Sequence, residues 1–216
     1  MEKQNKLIIF DCDGVLVDSE LLSNRTIASQ MQELGITMTE EEAILLFAGG
    51  SLKNVTDYVK EATGREAPAD MEEVYRLRSY ELFRKELQAV PGIKTLLEQI
   101  PNKKCVASNG PIEKMKLNLQ LTGLTPFFDE NLFSAYEVGH WKPDPRLFLH
   151  AAMEMGFEAR DCIVIEDSDH GIHAAKAAGM QVYGFAGRTP REKLERAGAE
   201  VFYEMGALAV ILGLSI

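Results

Sequence analysis

Basic residues are scarce relative to acids: 23 Lys and Arg face 33 Asp and Glu, a formal net charge of −10 over 216 residues. Nucleic acid and anionic membranes repel such a chain at long range, so neither is expected as a partner. An anionic substrate would need a local cation or a metal ion. Cysteine is sparse as well. Cys12, Cys105 and Cys162 have neither the even count of a disulfide framework nor the spacing of a metal site. They read as small buried hydrophobes in a reducing compartment. No apolar stretch approaches a membrane span; the longest covers only 207–212, with Leu214 just beyond. The polar start at 1–6 is followed by an apolar run, 7–10, far too short for a signal peptide, so the chain is expected to be cytoplasmic. Internal repeats and low-complexity segments are also lacking.

What is present is ordinary globular composition, 46% hydrophobic and 26% charged, which argues against disorder. The length suits one domain, or one domain carrying an insertion. Short apolar runs alternate with helical patterns, as in a parallel sheet with helices on both faces. Strands are expected at 7–10, 104–107, 131–133, 162–165, 181–185 and 200–202. Helices are expected at 93–99, 112–122, 145–155, 170–178, 190–197 and 206–212. Thr189-Pro190-Arg191-Glu192 reads as a capping box with proline at the first helical position, and Gly198 as the stop. From 18 to 88 no strand pattern occurs. That interval reads as four amphipathic helices, about 19–34, 40–47, 51–63 and 70–88, with turns at Gly35, Gly49-Gly50 and Gly64. The expected fold is α/β: a doubly wound parallel sheet core, 1–17 and 89–216, with a small all-helical domain, 18–88, inserted after the first strand.

The chemistry gathers at the strand ends, where α/β sheets bind ligands. Asp11-Cys12-Asp13 follows the first strand. Two carboxylates at i and i+2 of extended backbone point the same way, and they can divide the work of nucleophile and acid/base. By itself the pair is a weak signal. The second strand runs into Ser108-Asn109-Gly110, a hydroxyl, an amide and a glycine at a helix start. The third is followed by Lys142-Pro143, and the fourth ends in Glu166-Asp167-Ser168. Hard oxygen donors in this number suit Mg²⁺, which binds through a few carboxylates plus substrate phosphate.

This ordered set resembles the haloacid dehalogenase superfamily, in its group with a helical C1-type cap inserted after the first strand of a Rossmann-like core. The matching stretches are 11–19, Ser108-Asn109-Gly110, Lys142-Pro143-Asp144-Pro145 and 166–180. The resemblance implies that Asp11 is the nucleophile forming an aspartyl-phosphate and Asp13 the general acid/base. It further implies Mg²⁺ held by Asp11, the Asp13 carbonyl, Glu166 and Asp167. Ser108, Asn109 and Lys142 would bind the phosphoryl group.

Within the superfamily, Asp13 favours phosphate monoester chemistry over dehalogenation. The chain is also similar to the β-phosphoglucomutase group, but Ser23 stands where that group carries a cap histidine. Ala48, Gly49-Gly50-Ser51 and Leu52 stand where it has cations, with Lys53 nearby. The stretches around Ser108–Met115, Leu132-Phe133-Ser134 and Trp141–Ala152 resemble family members that hydrolyse 6-phosphogluconate. The expected activity is therefore Mg²⁺-dependent hydrolysis of a small sugar or sugar-acid phosphate. A hexose-phosphate mutase and a phosphoglycolate-type phosphatase are the alternatives. A signalling module phosphorylated on aspartate is disfavoured, because such modules are smaller and lack both the helical insertion and an acid in the position of Asp13. The expected partner is a small phosphorylated metabolite; the oligomeric state is left open, a monomer being compatible with it. Glu20, Arg25 and Arg76 are the cap candidates for substrate contact, a carboxylate being best met by arginine. His170 and His173 read as polar helix-face residues, His150 as a residue of a core-helix face, and Trp141 as packing under its loop.

Overall fold

The structure, a computed structural model, describes residues 6–47 and 50–214. Ala48 and Gly49, the latter expected in a turn, lie outside the described residues. The chain divides into two compact units, Asp18–Gln88 and the segments on either side of it.

The larger unit is built on six parallel strands in the order β3-β2-β1-β4-β5-β6. These are β1 Leu7–Phe10, β2 Lys104–Ser108, β3 Leu132–Ser134, β4 Cys162–Glu166, β5 Gln181–Phe185 and β6 Glu200–Phe202. Helices occupy the crossovers, as parallel pairing requires. Leu7, Ile9, Cys105, Ala107, Cys162 and Val164 face one apolar cluster with Leu147, Phe148, Ile172 and Leu194. The alternate residues Ile8, Phe10, Val106, Ile163 and Ile165 are buried too, so the central strands are covered on both faces and read as unbroken apolar runs. In this strand order the connections turn one way from β1 and the other way from β4. The crevice between the carboxyl ends of those two strands is thus the switch point where such sheets bind ligands.

Three local departures from the sequence expectation matter. First, β2, β3 and β4 each run one residue further, so Ser108 and Glu166 are terminal strand residues rather than the first residues of loops. Second, a short helix, Ala135–Val138, follows β3. Third, the capping box at Thr189 does not form. Pro190 takes an extended ψ of 133° at the N-cap, and the helix Arg191–Ala197 has no side-chain cap bond. The start therefore moves by one residue, and Lys193 rather than Glu192 occupies the third helical position. Gly198, at φ +97°, closes that helix in the left-handed region as expected.

Among its described residues the smaller unit has four helices, α1 Glu20–Glu33, α2 Glu40–Phe47, α3 Leu52–Thr63 and α4 Met71–Glu86. Ile27, Met31, Ala43, Phe47, Val55, Val59, Met71 and Tyr75 form its own apolar core. Its two ends lie side by side: the Asp18 N–H donates to the Gln88 carbonyl at 2.9 Å.

Candidate active site

Asp11 leaves the end of β1 with its N–H bonded to the Ile165 carbonyl at 2.9 Å, which ties it to the end of β4. At that end Glu166 is fully buried. Its Oε2 accepts the backbone N–H groups of Asp167 and Ser168, both at 3.0 Å, and the Ser168 hydroxyl at 2.8 Å. Ser168 also caps the helix Asp169–Ala177, accepting the Gly171 N–H at 3.1 Å. One residue thereby fixes both the carboxylate and the helix start.

The ammonium of Lys142 lies 2.6 Å from Asp11 Oδ1 and 2.6 Å from Glu166 Oε1, and 4.9 Å above the Phe148 ring. Its peptide to Pro143 is cis. The Lys142 N–H donates to Asn109 Oδ1 at 2.8 Å, so the loops after β2 and β3 are joined. Ser108 is buried, and its Oγ accepts the Gly110 N–H at 3.0 Å. Asp13 is half-buried. Lys114 Nζ lies 2.8 Å from its Oδ2, and Asn118 Nδ2 is 3.4 Å from its Oδ1.

Carboxylate oxygens of Asp11, Glu166 and Asp167 lie within 4.8 Å of one another. Two glycines make room for them. A Cβ on Gly171 would sit 1.8 Å from Glu166 Oε1, and one on Gly14, where φ is +78°, would sit 2.0 Å from Asp167 Oδ2. The Asp11 carboxyl is pushed up to about 7: burial is the main cause, Glu166 and Asp13 add to it, and Lys142 works against them. Burial also works against the Lys142 ammonium, yet Asp11 and Glu166 outweigh it and raise its pKa. Three buried carboxylates against one ammonium leave negative charge in excess. An all-oxygen donor set with surplus negative charge fits a hard divalent cation.

Seven of the ten residues singled out in the sequence, Asp11, Asp13, Ser108, Asn109, Lys142, Glu166 and Asp167, thus converge at the ends of β1, β2 and β4 and on the loop after β3. The other three belong to the helical unit. Arg25 reaches Glu86 Oε2 at 2.9 Å and Glu40 at 3.5 Å; Arg76 pairs with Glu72 one turn away; Glu20 opens α1. Lys114, Asn118 and Ser168 carried no functional expectation. Their spacing is that of ordinary helix residues, and only the tertiary arrangement brings them to the acids. Trp141 is exposed, its ring edge-on to Tyr136 at 5.4 Å, rather than buried under its loop. His150 packs edge-on against Phe133, in keeping with a core-facing helix.

Fold and site together define a doubly wound α/β enzyme with a carboxylate cluster and a buried lysine at the switch point of its sheet. Residues 8–185 match the family model described as haloacid dehalogenase-like hydrolase. The 6-phosphogluconate phosphatase of Escherichia coli K12 is 40% identical over 179 residues, 82% of this chain and 81% of that protein. A conserved haloacid dehalogenase-like protein from Agrobacterium tumefaciens C58 superposes with a TM-score of 0.86 at 34% identity, covering 97% of this chain and 98% of its own. A hydrolase of the same family from Deinococcus radiodurans R1, solved with bound phosphate and sodium, gives a TM-score of 0.80 at 27% identity, covering 98% and 96%. The chain belongs to the haloacid dehalogenase-like hydrolase family. Within it, the chain is a phosphatase. No described helix is long and apolar enough to cross a membrane.

Proposed function

We propose that this phosphatase hydrolyses a small sugar or sugar-acid phosphate, 6-phosphogluconate first among them, through an aspartyl-phosphate on Asp11. The observation that carries the mechanism is the buried carboxylate cluster around Lys142, with Asp13 two residues from Asp11. The 40% identity to a 6-phosphogluconate phosphatase supports the substrate. Asp11, the Asp13 carbonyl, Glu166 and Asp167 would hold Mg²⁺, which when bound supplies positive charge against the phosphoryl oxygens.

In this reading Lys142 holds Asp11 Oδ1, and the other carboxylate oxygen attacks phosphorus. As the bond from phosphorus to the leaving oxygen breaks, Asp13 gives that oxygen its proton. Asp13 then takes a proton from water, whose oxygen attacks the same phosphorus; phosphate departs and Asp11 is regenerated. Ser108, Asn109 and Lys142 bind and orient the phosphoryl oxygens, the positioning that phosphoryl transfer chiefly requires. The unit Asp18–Gln88 is read as the cap that excludes water and selects the substrate, with the paired segments at 17–18 and 88–92 as its hinges. Arg25 and Arg76 would exchange their present carboxylates for that of the substrate. The Arg25 pairs are partly exposed, and ion pairs of that kind contribute under about 1 kcal/mol.

The test is phosphate release from 6-phosphogluconate, phosphoglycolate, hexose 6-phosphates and β-glucose 1-phosphate, with and without Mg²⁺. A preference for 6-phosphogluconate that weakens in Arg25→Ala or Arg76→Ala is expected. Equal rates across the panel would remove the sugar-acid assignment. Interconversion of glucose phosphates on adding a bisphosphate would replace hydrolysis by a mutase reaction.

A further inference from the structure

In the proposed reaction Asp13 gives a proton to the leaving oxygen and later takes one from water, so its carboxylate needs a fixed orientation. Both of its carboxylate oxygens are approached from one element, the helix Ile112–Leu121. Lys114 Nζ lies 2.8 Å from Oδ2, and Asn118 Nδ2 lies 3.4 Å from Oδ1. The two residues are four apart, so they project from the same face one turn apart. Asn118 is fully buried, and the Lys114 side chain is only 15% exposed. Gly110 closes the arrangement: a Cβ there would sit 3.5 Å from Lys114 Cδ and 3.8 Å from Asp13 Oδ2. That helix follows Ser108-Asn109-Gly110 across Pro111, so one continuous segment carries two of the three proposed phosphoryl contacts, Ser108 and Asn109, and the grip on Asp13.

We propose that Lys114, supported by Asn118, is the positioning residue for Asp13, setting its carboxylate for proton transfer to the leaving oxygen. This rests on the reading of Asp13 as general acid. A side chain that merely stabilised the fold would affect all substrates alike. One that orients the acid matters only where the leaving group needs a proton.

The experiment compares kcat/KM for an alkyl phosphate, 6-phosphogluconate or a hexose 6-phosphate, with that for p-nitrophenyl phosphate, whose phenolate leaves unprotonated. kcat/KM covers the steps through loss of the leaving group and is not affected by later hydrolysis of the phosphoenzyme. Lys114→Met is expected to lower the alkyl value by about tenfold or more, within the range general acids supply, and the aryl value by far less. Lys114→Arg, which keeps charge and reach, is expected to recover most of the loss. Asn118→Ala is expected to move the same ratio in the same direction. Equal losses on both substrates in Lys114→Met, or no loss on either, would overturn the inference. Asp13→Ala, run in parallel, separates the two failures. If it discriminates between the substrates and Lys114→Met does not, the positioning role alone is wrong. If Asp13→Ala does not discriminate, the general-acid reading fails and the role of Lys114 falls with it.

Discussion

Asp11 is a residue whose burial works against its charge. It is nearly inaccessible, and burial drives its carboxyl up to about 7 despite a lysine at 2.6 Å. A carboxyl whose folded pKa lies above its unfolded value of 3.8 binds more protons in the folded state between the two values. Stability therefore falls as pH rises from about 4 to about 7, and levels off above. Thermal unfolding of EDTA-treated protein across this range should show the fall in the wild type and a flatter profile in Asp11→Asn. Added Mg²⁺ should offset the fall by compensating the surplus charge. Parallel profiles for the two proteins would mean that Asp11 is not the strained group. Individual residues were readable in the sequence where chemistry and position coincide. Asp11 and Glu166 each follow or end an apolar run, which places them at a strand end; Lys142 stands with Pro143 further along the connection after β3, beyond the helix Ala135–Val138. Lys114 and Asn118 were not readable, because nothing in a helix sequence says which loop its face will meet.

At the scale of elements, the start of the helix Asp169–Ala177 depends on a close approach. Gly171 is needed there not for its φ but because Glu166 Oε1 occupies the place of a Cβ. Gly171→Ala would push the Glu166 carboxylate off Lys142 and away from Asp11 and Asp167. Activity should drop by at least about tenfold, as when a preorganised charge contact is lost. The Mg²⁺ concentration for half-maximal rate should rise, and the unfolding temperature should fall. Activity within twofold of wild type would show that Glu166 tolerates displacement. The strands and crossover helices were legible because alternation of apolar runs with helical periods is a sequence property. Their ends were less so: Pro190 shifted a helix start by one residue, since backbone torsions at a cap follow from the loop that feeds it. The helix at Ala135–Val138 is only four residues long, too short to show any period.

At the scale of the whole molecule, a net charge of −10 and an anionic substrate are reconciled locally. Lys142 is buried among the acids, and the surplus negative charge around it suits a divalent cation, which when bound would reverse the sign of the local field in favour of a phosphate. The division into two units was visible as a break in the alternation of strands and helices over 18–88. The partners of Arg25 and Arg76 were not, because arginines look alike in sequence whether they meet a ligand or a neighbouring glutamate.

The most direct measurement is capture of the covalent intermediate. Wild type, Asp11→Asn and Asp13→Ala would each be mixed with ³²P-labelled p-nitrophenyl phosphate and Mg²⁺, quenched in acid, and the labelled peptide mapped. The aryl substrate spares the need for an acid in the first step, so Asp13→Ala should form the intermediate and fail to hydrolyse it. The expected result is label on the peptide containing Asp11, transient in wild type, accumulating in Asp13→Ala and missing from Asp11→Asn. Label on another residue, or turnover without label in any of the three proteins, would contradict the assignment of Asp11 as the nucleophile.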